Sequence, residues 1–184
     1  NYKNESQILK IKHKNLIHEI RVNLVGKIQL KNILMAAIAA SKSNLDLKKI
    51  FSVIPRLSSV EGRFEKIGKI KNKSLVFLDY AHTPDALQAC ILNIKDQFPD
   101  KHISVLFGCG GDRDKGKRSK MGKIADKYAD KIYLTDDNPR HERPKKIRDE
   151  IKRGIKKCQT IEISNRKEAI VKAINNLNTG DILI

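Results

Sequence analysis

The chain has no tryptophan, and aromatic residues make up only 5% of its 184 positions. Surfaces that bind single-stranded nucleic acid stack bases on aromatic side chains, so that platform is missing. Cysteine is scarce too. Cys90, Cys109 and Cys158 are too few and too far apart for a disulfide framework or a zinc cluster, and a reducing, cytoplasmic compartment fits them. No apolar run approaches the roughly 20 residues that span a bilayer. The opening residues N-Y-K-N-E-S-Q show no signal-peptide pattern and no initiator Met, so the chain is expected to begin inside a longer protein. Neither a G-x-x-x-x-G-K-[ST] loop nor a G-x-G-x-x-G fingerprint occurs.

Acidic residues are the other shortage, 21 against 38 Lys and Arg, for a formal net charge of +17. Clustered cations would indicate nucleic acid. Here they are spread over nearly every segment, with no recognition-helix or zinc-finger pattern. A Lys-, Ile- and Asn-rich background with a preference for small polyanions such as nucleotides accounts for them better. The expectation is a monomer with neither nucleic acid nor membrane as partner.

What is present has a clear order. Ile8, Leu9, Ile11, Leu16, Ile17, Ile20, Val22 and Leu24 alternate with polar residues as strands do. Lys31–Ala40 is a strong, mostly buried helix former, and Leu45–Ile54 a second helix stopped by Pro55. Residues 1–58 therefore read as the end of one domain. Val60–Glu65 reads as a linker in which Gly62 is a hinge, and by spacing alone Arg63 is a solvated charge. Residues 59–184 form a second domain that repeats a strand–helix unit four times. Its strands are Leu75–Leu78, Ser104–Phe107, Ile132–Thr135 and Ile161–Ser164, with a last one at Asp181–Ile184. Thr83 with Pro84, Ser119, Pro144 and the Asn165/Glu168 capping box are the helix starts. The inward faces carry Leu87, Cys90, Ile91 and Ile94; Met121, Ile124, Ala125 and Tyr128; Ile147, Ile151 and Ile155; and Ile170, Ala173, Ile174 and Leu177. Alternation of this kind implies an α/β fold with a doubly wound, mostly parallel sheet.

Ligands of such sheets bind at the carboxyl ends of strands, and three of these ends are polar. They carry Asp79 with His82; Asp112, Arg113, Asp114, Lys115, Lys117 and Arg118; and Asp136, Asp137, Asn138 and Arg140. Gly108, Gly110 and Gly111 allow a tight turn and a close approach to a ligand. Aspartates at strand ends suit ribose hydroxyls or magnesium, and arginines in fixed loops suit carboxylates. Cations and anions together suit a zwitterion such as an amino acid. Blander readings stand beside these: His82 satisfying a helix start, D-R-D-K-G-K-R a solvated loop, Asp137–Pro139 an ordinary turn. Cys109 reads as a small residue in a tight loop, Cys90 as helix packing and Cys158 as the end of a helix.

Three motifs go further. D-Y-A-H-T-P-D-A-L at 79–87, F-G-C-G-G-D-R-D-K-G-K-R at 107–118 and D-N-P-R at 137–140 resemble the carboxy-terminal, Rossmann-like domain of the Mur ligases. V-E-G-R-F-E at 60–65 resembles the entry to that domain, and residues 26–40 the end of the family's central ATPase domain. Within the family the motifs are most similar to the branch that adds meso-diaminopimelate to UDP-N-acetylmuramoyl-L-alanyl-D-glutamate in peptidoglycan synthesis. The resemblance implies that Arg63, Asp79 and His82 contact ATP, against the solvated reading of Arg63. It implies that Arg113, Asp137, Asn138, Pro139 and Arg140 recognise meso-diaminopimelate. The implied reaction uses ATP and Mg2+: the γ-carboxylate of the D-glutamyl residue is phosphorylated, and the amine attacks the acyl phosphate. The family's phosphate-binding loop, metal ligands and carbamylated lysine do not occur in the chain, nor does the G-K-G-H-E segment expected after Ile184. No catalytic or metal-binding residue is therefore expected here, and the chain is expected to be a fragment that does not turn over alone. Another Mur ligase, a folylpolyglutamate synthase-like enzyme and a stand-alone nucleotide-binding module remain alternatives.

Overall fold

The structure, a computed structural model, describes residues 2–3, 6–70 and 73–184. The chain divides into two compact units, one up to Phe64 and one from Glu65 onward. In the first unit, strands β1 (Tyr2–Lys3), β2 (Ser6–His13) and β3 (Leu16–Val22) form an antiparallel meander. Helix α1 (Lys27–Lys42) and helix α2 (Leu47–Val53) follow, then a 3-10 turn at Ile54–Arg56. The Asp46 carboxylate accepts the Lys49 N–H at 3.1 Å and caps α2. Ile20, Val22, Leu24, Ile33 and Ile54 form the core, with Leu9, Ile11, Leu30 and Phe51 against it. The expected burial of α1 is corrected: only Ile33 and Ala37 are buried, while Met35 and Ile38 are more than half exposed. One stripe of a 3.6-residue helix faces this small core, and an all-apolar run leaves its other faces uncovered.

The second unit is a six-stranded sheet in the order β4-β5-β9-β6-β7-β8 among the described residues. Its strands are β4 (Glu65–Lys69), β5 (Leu75–Leu78), β6 (Ile103–Phe107), β7 (Lys131–Leu134), β8 (Gln159–Glu162) and β9 (Ile182–Leu183). Helices α3 (Pro84–Gln97), α4 (Gly116–Tyr128), α5 (Pro144–Lys152) and α6 (Arg166–Asn175) connect them. Every pairing is parallel except β4 with β5. The chain steps in one direction from β5 through β8, then returns so that β9 lies between β5 and β6. Right-handed crossovers place α6 on the face opposite α3, α4 and α5 for that reason. Tyr133, Ala173, Leu177 and Leu183 pack on the α6 side. Strand alternation sends Val105, Phe107, Ile132 and Leu134, all buried, to the other face. The expected doubly wound α/β sheet is the observed one.

Local expectations meet mixed outcomes. Thr83 Oγ1 accepts the Ala86 N–H at 3.2 Å and caps α3 as expected, and Asn165 Oδ1 accepts the Glu168 N–H at 3.2 Å, which is the Asn165 arm of the expected box. Ser119 does not cap α4. That helix begins three residues earlier at Gly116, whose N–H the Asp114 carboxylate accepts at 2.8 Å. Ile155 lies past the end of α5 and is only half-buried, and Ile170 is exposed while Ala169 takes the inward position. Cys158 sits before β8 rather than at a helix end. Its N–H, with those of Lys156 and Lys157, is gathered by the Asp126 carboxylate at 2.7–3.0 Å. Strand β4 arises within the segment expected to be a linker and its continuation.

Candidate functional site

The carboxyl ends of β5, β6 and β7 meet at a cleft of about 400 Å³. It is lined by Asp79 and His82 from the loop after β5, the Gly108–Gly110 backbone after β6, and Asp137, Asn138 and Arg140 after β7. Lys117 from α4 and Arg166 from the start of α6 complete the polar lining. Loop by loop, the sequence explains how these groups arrive.

After β5, Tyr80 and His82 stack at a tilt with ring centroids 5.2 Å apart, and His82 Nδ1 lies 3.0 Å from Tyr80 O. Lys117 Nζ donates to His82 O at 2.7 Å, tying this loop to the first turn of α4. A cation is thereby fixed where the loop opens into the cleft.

After β6 and β7 the two loops are laid backbone against backbone. A Cβ on Gly108 would stand 2.4 Å from Thr135 O, and one on Gly111 would stand 1.8 Å from Pro139 O. These glycines therefore serve the contact between loops, where sequence reasoning assigned them to an approach by ligand. Gly111 N–H donates to Asn138 O at 2.8 Å, and Arg140 Nη1 donates to Gly111 O at 2.5 Å. The His141 N–H donates to the Asp112 carboxylate at 3.1 Å, with His141 Nδ1 at 2.7 Å from the same oxygen. Those contacts hold the Asp112 carboxyl below its ordinary range, the His141 backbone N–H being the largest cause. Asp112 and Arg140 both have left-handed backbones, with φ of 50° and 48°. Such conformations are costly for residues other than glycine and persist where surroundings over-determine them.

Arg118 is the side chain that sequence reasoning misplaced. It was expected at a strand end facing the site, yet it is fully buried. Its Nη1 donates to Glu142 at 3.0 Å and to Glu150 at 2.7 Å; its Nη2 donates to Glu142 at 2.8 Å and to Gly110 O at 3.2 Å. Glu142 also accepts the Asp112 N–H at 2.7 Å. The Arg118 guanidinium, followed by that N–H, drives the Glu142 carboxyl down to about 2. The signal was available: with α4 starting at Gly116, Arg118 shares the inward stripe of Met121, Gly122 and Ala125. Glu142 and Glu150 were not singled out, because a lone Glu in a charged segment carries no pattern of its own. Asp136 is likewise occupied, paired with the largely buried Arg148, which also donates to Glu162 at 2.8 Å.

Of the residues expected to act, the structure brings Asp79, His82, Asp137, Asn138 and Arg140 to one cleft, with Pro139 behind them against Gly111. Arg113 is exposed and does not line it. Arg63 belongs to the first unit, in a turn where Gly62 has φ of 65°; its N–H donates to Val60 O and its carbonyl accepts from Gln29. Cys109 is buried with Sγ 3.6 Å from Met121 Sδ, and burial pushes its thiol up to about 11, so it packs rather than reacts. Chemically, the cleft offers three cations and two carboxylates, carried by the loops and by the first turns of α4 and α6. That set holds an anion or a zwitterion by charge-assisted hydrogen bonds. Among the described residues no three His, Cys, Asp or Glu side chains converge as metal ligands. These residues do not fit a resident magnesium, and no step is derived through one.

A mostly parallel α/β unit with a polar cleft at its strand ends defines a Rossmann-like domain. Residues 62–184 match the family model described as Mur ligase, glutamate ligase domain, and the chain belongs to that family. The chain is 46% identical over 163 residues to the UDP-N-acetylmuramoyl-L-alanyl-D-glutamate--2,6-diaminopimelate ligase of Rickettsia felis, covering 88% of this chain and 30% of the relative. The Rhizobium meliloti enzyme of the same name is 47% identical over 168 residues, with coverage of 91% and 34%. A solved structure of that name matches with a TM-score of 0.71 at 33% identity, over 100% of this chain and 37% of its own. A Thermotoga maritima folylpolyglutamate synthase reaches a TM-score of 0.74 at 19% identity, with coverage of 100% and 41%, and shows the fold alone. The chain spans about a third of the length of the curated relatives it matches.

Proposed function

We propose that this chain is the amino-acid-recognising part of an ATP-dependent ligase. The reaction joins meso-diaminopimelate to the γ-carboxylate of the D-glutamyl residue in UDP-N-acetylmuramoyl-L-alanyl-D-glutamate, through an acyl phosphate, in the cytoplasm. The observation that carries the reading is the clasp between the glycine loop and the 137–140 turn, which sets Asn138 and Arg140 in a basic cleft facing Asp79 and His82. The names of the relatives support the substrate.

In this reading Arg140 receives a carboxylate of the amino acid, with one guanidinium nitrogen anchored on Gly111 O and the rest turned to the ligand. Asp137 and Asn138 receive its ammonium group. Arg113, exposed and outside the lining of the cleft, takes a second carboxylate when the amino acid is seated. Asp79 and His82 hold the nucleotide, and Arg63 contacts it from the preceding segment. ATP supplies the phosphoryl group that activates the glutamyl carboxylate. The chain's own contribution is positioning and charge neutralisation, which dominate such chemistry.

The test is phosphate release by the full-length protein supplied with ATP and the UDP-linked dipeptide. Release should depend on meso-diaminopimelate, with kcat/KM for L-lysine lower by about tenfold, as expected where an arginine of the site is left without its charge-assisted carboxylate partner. Equal use of L-lysine would overturn the specificity, and no dependence on either amino acid would overturn the function.

A further inference from the structure

Arg140, the residue to which amino-acid recognition is assigned, holds a backbone conformation that a non-glycine residue rarely adopts, with φ of 48°. Its own loop holds it through two bonds: Arg140 N–H donates to Asn138 Oδ1 at 3.2 Å, and Glu142 N–H donates to Pro139 O at 3.0 Å, closing the turn around it. Stronger ties come from across the interface, where Arg140 Nη1 meets Gly111 O and Gly111 N–H meets Asn138 O. The glycine loop must therefore stay in register for Arg140 to stay in place. Two carboxylates fix that register: Asp112, which accepts the His141 N–H at 3.1 Å, and Glu142. Glu142 lies two residues past Arg140, and one of its oxygens accepts the Asp112 N–H, next to Gly111, at 2.7 Å. Both of its oxygens are engaged by Arg118, which is fully buried and also donates to Gly110 O. Glu150 holds Arg118 from the other side at 2.7 Å but makes no contact with either loop's backbone among the hydrogen bonds described.

We propose that Glu142, anchored by the buried Arg118, is a positioning residue for amino-acid recognition: it locks the glycine loop on the 137–140 turn and so keeps the Arg140 guanidinium at the cleft. It does not touch substrate. This inference rests on the functional reading above. The two glutamates make it testable, because each neutralises Arg118 and only Glu142 also holds the glycine loop.

The experiment uses steady-state kinetics of the full-length enzyme with Glu142→Gln, Glu142→Asp and Glu150→Gln, each with its thermal unfolding midpoint. Glu142→Gln should raise KM for meso-diaminopimelate about tenfold, the scale of losing a hydrogen bond to a charged group, while KM for ATP stays within about twofold. Glu142→Asp keeps the charge beside Arg118 but draws back from the Asp112 N–H, so it should raise the amino-acid KM too, by less. Glu150→Gln should lower the unfolding midpoint and leave both KM values alone. If Glu142→Gln does not fold, the contrast between Glu142→Asp and Glu150→Gln decides. Equal effects of the two glutamates on amino-acid KM, or equal losses for both substrates, would make the network merely structural and overturn the inference. A wild-type enzyme indifferent to meso-diaminopimelate would instead overturn the functional reading and remove the basis of the inference with it.

Discussion

Arg118 and Arg113 stand five residues apart in one charge run, and their fates are opposite. Arg118 is fully buried between Glu142 and Glu150, whereas Arg113 is exposed. A run of charges says nothing about which member is inward; helix phase decides, and the phase depends on where α4 starts. Arg140, Asp79 and the D-N-P-R turn were legible as cleft residues because they follow the carboxyl ends of strands and because Pro139 restricts the turn. Glu142 was not, since its importance lies in a partner that sequence spacing cannot reveal. A pH prediction follows from its carboxyl. With Glu142 held at about 2 against an ordinary 4.5, its contribution to stability is complete above about pH 4.5. It is lost as pH falls from there to about 2, where folded and unfolded states both protonate. The difference in unfolding midpoint between wild type and Glu142→Gln should therefore be constant at neutral and mildly acidic pH and shrink across that window. A difference that is independent of pH down to about 2 would mean that the carboxylate is not engaged as described.

Helices and parallel strands of the second unit were readable because their apolar residues repeat at 3.6 or form short buried runs. Strand β4 was not, because an edge strand needs little apolar content: its one large apolar residue, Ile67, is 56% exposed. The insertion of β9 between β5 and β6 was also out of reach, since strand order is set by long-range pairing. Nor did sequence show how closely α4 and α5 approach. A Cβ on Gly122 would lie 2.1 Å from Ile151 O, and one on Gly154 would lie 1.9 Å from Ser119 O. Both obstacles are backbone, so neither can swing aside. Gly→Ala inside an open helix ordinarily stabilises by about 0.5–1 kcal/mol. Gly122→Ala should do the reverse, destabilising by about 1–3 kcal/mol as overpacked sites do, read as a lower denaturation midpoint. A raised midpoint would show that the two helices are not in backbone contact.

At the scale of the molecule, the +17 net charge is spread over the chain. What matters is that three of the many cations, Lys117, Arg140 and Arg166, converge with Asp79, His82 and Asn138 on one cleft. No described helix is long and apolar enough to cross a membrane. The family assignment rests on residues 62–184, and the chain covers about a third of the length of its curated relatives. The proposed function divides the labour within that cleft: the clasped 137–140 turn recognises the amino acid, while Asp79 and His82 hold the nucleotide. The most direct measurement is the kinetics of Arg140→Ala in the full-length enzyme, with each substrate varied in turn. The account predicts that kcat/KM for meso-diaminopimelate falls by about a hundredfold or more, as when a bidentate carboxylate partner is removed, with KM for ATP changed by less than about threefold. Equal losses toward both substrates would contradict it.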